Sequence, residues 1–404
     1  MTNANDPGIS LETRWLKWVE AESCRRLLAA CFLCDGHTSI YQQLPRAMDY
    51  ESDSSPMVQW IPLFGGSDLL WEASSAEEWG SILNSDPEIA ETQYVPDVEH
   101  LTTESVRSRT AVDQMLILAR CALRLPRRPS SRTTSASENN TPAPETGSHP
   151  QHLSVQFGAS QQGHLQSFSA QAHDQRSVEA ENRIISLFGD SPAAYTYLAL
   201  HHTPLRDLLA VSGDSWLYSQ KVLPANLFQD HQKRLRLWVI GKLAGYNQIK
   251  ATVYASRAIS LFLNRRPWFQ GCNSENAPWS SDISDYWGLY VCALICWAFS
   301  YHRGQSRQRS GSGESSPTAS GNGQFLASTD EDVMNWLRTV GAQGMSHDEV
   351  LRLRGRREAA GVVGLVRRRL QRDCVGGRNR LYVDAVGVLE RLDREREGPM
   401  RKLF

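Results

Sequence analysis

The sequence predicts an all-α fold, a multi-helix bundle interrupted by disordered linkers. Three observations carry that expectation. Apolar residues recur at helical spacing, capping signals precede one apolar run after another, and strand-type alternation is nowhere sustained. Leu11 to Ile40 reads as one long amphipathic helix without proline, broken only by Gly36 near its end. Ser75 and Glu78 have the spacing of a capping box ahead of Trp79, Ile82 and Leu83. Ser191-Pro192 places an N-cap and a first-turn proline before AAYTYLALHH, and Thr203-Pro204 repeats the device before LRDLLAV, which Gly213 ends. Val222 to Leu261 carries apolar residues at helical spacing, among them Leu235, Val239, Leu243, Ala258 and Leu261. Ser284 or Asp285 is expected to cap an apolar helix starting at Tyr286. Ser328 with Glu331, and Ser346 with Glu349, open two further helices.

Composition divides the chain into three blocks. Residues 10–125 form the first helical half of a domain and residues 177–301 the second, expected to pack together. Between them residues 126–176 turn to Ser, Thr, Gln, Asn and Pro, too few large apolar side chains to offset the entropy of ordering, so a disordered linker is predicted. A second such linker spans 302–324, and residues 325–404 form a basic helical tail. With 12 Trp, 12 Tyr and 11 Phe, the 404 residues can bury a sizeable core. The net charge of -1 lacks the basic surplus usual in a dedicated nucleic-acid-binding domain. The most apolar run, Tyr286 to Phe299, is shorter than the roughly 20 residues of a membrane span and reads as a buried helix. No membrane association is expected. The eight cysteines are scattered and no secretory signal is read at the N-terminus, so reduced thiols are the expectation.

Searches for chemistry give mostly negative answers. Cys31 and Cys34 have zinc-ligand spacing, but no second ligand pair follows and both sit in an apolar helix, so core packing is preferred to metal. Cys292 and Cys296, one helical turn apart, receive the same reading. His201 and His202, with His231 or His37, contain the atoms of a metal or acid/base site. Adjacent side chains on a helix point in different directions, however, so the two are not expected to share one ion, and one of them is expected to face the core and bond a neighbour. There is no nucleophile elbow, phosphate-cradling loop, HExxH or dinucleotide fingerprint, and no catalytic residue is proposed. The segment from Glu331 to Phe404 holds 16 Arg and Lys against 11 Asp and Glu. Its interleaved acids favour a solvated helix face over a phosphate-binding surface.

The most informative constellation lies in the first helix. Glu22 precedes Arg25 and Arg26 by three and four residues, so carboxylate and guanidinium meet on one face. Asp35 follows between three and four turns on, and Trp15, Trp18, Leu28, Phe32 and Leu33 supply apolar surface along that line. Glu22, Arg25, Arg26 and Asp35 read either as a structural ion-pair network locking a core helix or as an ordinary exposed salt bridge.

This segment, WLKWVEAESCRRLLAACFLCDGHTSIY, resembles the middle homology region of fungal-specific transcription factors. The regulatory domain of that family carries a helix in which Trp, Glu, two or three Arg, aromatic and aliphatic residues and then Asp follow one another. Trp18, Glu22, Arg25, Arg26, Phe32, Leu33 and Asp35 match that order. The continuation, with Leu69, Trp71, Ala73 and Trp79, looks like the same family, and ALHHTPLRDLLAVSGDSWLYSQKV is similar to the version found in two-cysteine two-histidine zinc-finger regulators. The likeness covers roughly Trp15 to Trp79 and Ala193 to Phe299. It implies an all-α regulatory domain that controls transcription by RNA polymerase II in the nucleus through protein or effector binding. Its expected partners are the transcription machinery or regulatory proteins, with homodimers left open. The resemblance also implies that DNA is reached only indirectly or through an N-terminal module. The family's zinc would lie in that module, so no cofactor or metal is expected in this chain. Two further readings stay open, a helical scaffold or adaptor without a transcriptional role and an enzyme on a helical scaffold.

Overall fold

The computed structural model describes residues 9–43, 61–91, 93–126, 175–213, 216–217, 220–222, 224–264, 283–301, 329–342, 349–350, 356–373 and 380–397. Among them the fold is all-α. Two antiparallel strand pairs of two residues each, Pro62–Leu63 with Gln93–Tyr94 and Trp216–Leu217 with Gln220–Lys221, are the sheet structure of the described residues. The two expected linkers fall outside these residues, except for Pro126 and the first two residues of a helix spanning 175–187.

The first helix, α1 (Leu11–Gln42), starts where the Ser10 hydroxyl accepts the Thr13 amide at 3.2 Å. It runs through Gly36, which the sequence suggests as a break. A Cβ at Gly36 would stand 3.7 Å from the Ala119 Cβ, an ordinary contact, and the backbone stays helical. Short helices α2 (Asp68–Glu72), α3 (Ala76–Ser85) and α4 (Thr103–Arg107) follow, then α5 (Ala111–Leu123). The Ser75 hydroxyl caps α3 as expected, whereas Glu78 reaches back to the amide and hydroxyl of Ser74 instead of closing a box on Ser75. α1 packs on α3 and α5, and its far end meets the second block.

In that block α6 spans 175–187, followed by α7 (Pro192–His201) and α8 (Leu205–Ser212). Ser191 and Pro192 open α7 as predicted. Thr203 does not cap α8; its hydroxyl instead donates to Ala199 at 2.7 Å and finishes α7. The orphan amide of Leu205 is taken from outside by the Gln43 side chain of the first block at 3.0 Å. The apolar spacing of 222–261 divides into α9 (Ala225–Val239) and α10 (Gln248–Asn264). Gly241 and Gly245, at φ +69° and +78°, turn the chain between them, a conformation with little penalty only for glycine. α11 (Ile283–Phe299) begins three residues before Tyr286, so Ser284 and Asp285 lie inside it and not at its cap.

α7 and α11 are apolar almost all round, which places both at the centre of the bundle. α10 packs between α7 and α11, and α9 against α8. The last block supplies α12 (Asp330–Val340), α13 (Arg356–Arg372) and α14 (Arg380–Glu397). Thr329 and Asp332 form the capping box of α12, one residue later than the expected Ser328 and Glu331. Ser346 lies outside the described residues, and Glu349 stands in the helical fragment 349–350.

The described helices of the basic tail expected at 325–404 are part of the bundle. Val333, Leu337, Val340, Val363, Val366 and Leu389 join one continuous core with α7, α10 and α11. Arg338, Arg357, Arg368, Arg372 and Arg394 are exposed, as a solvated face requires, while Arg367 and Arg369 are partly buried. Arg367 pairs with Asp393 at 3.2 Å, Arg369 with Asp373 at 2.6 Å and Arg368 with Asp330, while Arg369 also lies over the Phe262 ring at 5.6 Å. A second, smaller apolar cluster of Leu70, Ala73 and Trp79 packs beneath Trp15 and Trp18 of α1.

Candidate functional site

Three helices converge on one buried carboxylate. α6 carries Ser177 and Glu181 one turn apart, α7 ends in His201 with His202 at its C-cap, and the first turns of α10 present Lys250 and Tyr254, again one turn apart. Glu181 is 2% exposed. Its Oε1 accepts from the Ser177 hydroxyl at 3.1 Å and lies 3.1 Å from His202 Nε2. Its Oε2 accepts from Lys250 Nζ at 2.9 Å and from the Tyr254 hydroxyl at 3.0 Å. A carboxylate so buried is tolerable only with its lone pairs filled and its charge matched, and both conditions are met. Burial alone would raise the Glu181 pKa. The bonds and charges of His202 and Lys250 outweigh that effect and hold it well below the usual carboxylate range. Tyr254 is pushed the other way, first by its own burial and then by the Glu181 charge.

The two histidines turn toward the same group. His202 is buried and stacks on Tyr254, with centroids 6.0 Å apart at 29°. α9 fixes its backbone, because Trp238 Nε1 donates to the His202 carbonyl at 2.9 Å. His201, half-buried, reaches Ser177 through Nε2 at 3.2 Å, and the two imidazoles meet edge to face at 5.0 Å. The sequence reading that one histidine faces the core and bonds a neighbour describes His202. The companion argument, that adjacent helical side chains diverge, does not apply here, because His202 stands at φ -97°, ψ 9°, where the helix has already ended. Glu181, His201 and His202 each offer one metal-ligand atom, and these atoms lie within 4.8 Å of one another.

The constellation expected on α1 is built differently from its sequence reading at one point. Glu22 is 1% exposed and takes three donors: Arg25 Nε at 2.7 Å, Arg26 Nε at 3.1 Å and the Ser67 hydroxyl at 2.8 Å. Arg26 also donates to Asp68 at 2.6 Å and lies over the rings of Phe64 and Trp71, at 4.9 and 4.6 Å from their centroids. Asp35 does not belong to this group. Thirteen residues of helix place it about 20 Å further along the axis, where it makes its own contacts, and Asp68 supplies the second carboxylate. Leu28 is exposed, whereas Trp15, Trp18, Phe32 and Leu33 do line the inner face.

Two further buried carboxylates complete the pattern. Asp113 on α5 accepts the amides of Phe64 and Gly65 at 2.7 and 2.8 Å, and so holds the loop that carries Ser67. Asp207 on α8 is paired with Arg234 at 2.7 Å and His231 at 2.6 Å, both on α9. His37 stands apart from the other histidines, edge to face with Tyr41 and Tyr197 at 5.5 and 6.0 Å.

The cysteines divide. Cys292 and Cys296 are buried as expected, but Cys31 and Cys34, expected in the core, stand on the solvent side of α1 together with Cys24. Trp18, Glu22, Arg26, Ala29, Phe32 and Gly36 form the inward stripe, and these thiols fall opposite it.

Ser177, Glu181, Lys250 and Tyr254 were not singled out from the sequence. The two i, i+4 pairs were the available signal, but nothing in the chain order shows that residues 69 positions apart meet. Among the described residues no helix is long and apolar enough to cross a membrane. Comparison of the chain with models of protein families, with curated proteins and with solved structures found no match.

Proposed function

We propose that this chain is the regulatory region of a fungal-type transcription factor, acting in the nucleus on RNA polymerase II transcription through protein or effector binding. One observation carries the reading. The segment with the family-like order Trp18, Glu22, Arg25, Arg26 is a helix packed on the bundle by one face, on which its charges are neutralised, and its far end is tied to the second family-like segment. That tie consists of Gln43 capping α8 and of Tyr41 packing on Tyr197 at 5.7 Å. The two stretches that resemble the family thus share one core, as a single regulatory domain requires. In this reading the chain does not catalyse, and DNA contact comes from outside these 404 residues.

The test is a fusion of the full chain to a heterologous DNA-binding domain, with transcription read from a promoter carrying its sites. A severalfold change in transcript, up or down, relative to the DNA-binding domain alone is expected. Unchanged transcript at equal nuclear abundance would overturn the reading and leave the scaffold or adaptor class in its place.

A further inference from the structure

We propose that Glu181, His201 and His202 bind one zinc-class divalent cation in the interior of the helical bundle. This goes beyond the regulatory reading and does not depend on it. Two imidazoles and a carboxylate are ligands that Zn²⁺ accepts, with bonds of about 2.0–2.2 Å, which in a tetrahedron place ligand atoms about 3.3 Å apart. The His202 Nε2 to Glu181 Oε1 separation of 3.1 Å already matches that spacing, and all three ligand atoms lie within 4.8 Å of one another. His201 Nε2 now lies 3.2 Å from the Ser177 hydroxyl and would exchange that hydrogen bond for the metal. The Ser177 hydroxyl lies 3.1 Å from Glu181 Oε1 and 3.2 Å from His201 Nε2, and a water molecule beside it would complete the coordination.

The surroundings are those of a metal site with its outer layer in place. Lys250 and Tyr254 hold Glu181 Oε2, which leaves Oε1 directed at the histidines. Trp238 fixes the backbone of His202 from the other side. The half-buried edge at His201 and the partly exposed Lys250, 39% open to solvent, give an ion a path inward. Binding replaces the His202–Glu181 and His201–Ser177 hydrogen bonds by three metal bonds, and any proton on a coordinating nitrogen leaves to water. No redox change is involved.

The surface thiols Cys24, Cys31 and Cys34 are rival soft donors, so the test must separate the two places. The full chain, stripped with a chelator and free of any histidine tag, is titrated with Zn²⁺ against a chromophoric competitor. One equivalent is expected. His201→Asn should weaken binding at least about tenfold with an unchanged far-ultraviolet circular dichroism spectrum. The triple variant Cys24→Ser, Cys31→Ser, Cys34→Ser should keep the parental affinity. Cobalt in the parent protein gives a reading that needs no variant, since nitrogen and oxygen ligation produces four-coordinate visible bands without thiolate charge-transfer absorption. No stoichiometric binding, loss of binding in the cysteine variant, parental affinity in a folded His201→Asn, or a thiolate-type cobalt spectrum would each overturn the proposal.

Discussion

Lys250 donates to Glu181 at 2.9 Å across 69 positions of sequence, so a carboxylate buried on α6 is matched by an ammonium on α10. The Glu181 pKa is depressed by this charge and by His202 against the opposing pull of burial. A carboxylate depressed in the folded state adds stability that is complete above its unfolded pKa of about 4.3 and is lost as pH falls toward the folded value. Glu181→Gln should therefore be less stable at pH 7 and should lose less on acidification from about pH 5 downward. Melting temperatures of parent and variant across pH 7 to 3 check this, and curves that stay parallel throughout would refute it.

Arg26 is asked to do more than carry charge. Its planar guanidinium pairs with Glu22 and Asp68 while covering Phe64 and Trp71. Arg26→Ala leaves Glu22 buried with one guanidinium fewer and should destabilise the fold by about 3 kcal/mol. Arg26→Lys should recover less than half of that, since an ammonium cannot make the two-sided contact. Urea denaturation decides; parental stability in the lysine variant would remove the stacking argument.

The loop before α2 depends on an approach that only glycine permits. A Cβ at Gly65 would stand 2.9 Å from Asp113 Oδ2, on the same carboxylate that accepts the Gly65 amide. Gly65→Ala should lower stability by about 1–3 kcal/mol. In an Asp113→Ala background the same change should do much less, because the clash and the bond disappear together. A double-mutant cycle measures the coupling, and strict additivity would contradict it.

Thiol reactivity should follow the side of the helix. Burial pushes Cys121 and Cys292 up to about 12 and raises Cys296 as well, while Cys24, Cys31 and Cys34 face solvent. In a background with Cys272 and Cys374 changed to serine, three thiols should react with a disulfide reagent in the native state, and three more only on unfolding. Mass mapping of the modified peptides identifies them; early labelling of Cys292 would be inconsistent with this packing.

Leu337 tests whether the last block belongs to the core. It is fully buried where α12 packs on α10, and the end of α12 comes so close that a Cβ at Gly341 would lie 2.9 Å from the Arg257 amide nitrogen. Leu337→Ala should lower stability by about 2–5 kcal/mol in a single cooperative transition shared with α10. A separate transition confined to 325–404 would restore the view of that block as an appendage.

The helices were legible wherever the apolar period was unbroken, as in α1, α7 and α11. Caps were legible where the bonded groups are local, as with Ser191 and Ser75, and misplaced where a distant side chain does the work, as Gln43 does for Leu205. Periodicity could show that Glu22 and Arg26 share a face, but not that the face is inward, which α3, α5 and α7 decide. The same blindness put Cys31 and Cys34 in the core. It also exchanged Asp68 for Asp35, because spacing along one helix cannot announce a partner 42 positions away. The Glu181 cluster has its parts on three helices, so only the fold assembles it.

An apolar seam between two helices is nearly indifferent to sliding, since one leucine can replace another a turn away. The buried carboxylates remove that indifference. Moving α10 by one turn along α6 would carry Lys250 about 5.4 Å from Glu181 and strand a charge in the interior. Asp207 with Arg234 does the same for α8 and α9, and Glu22 with Arg26 for α1 and the Phe64–Asp68 loop. Each joint accepts one alignment, so the bundle is keyed rather than merely greased.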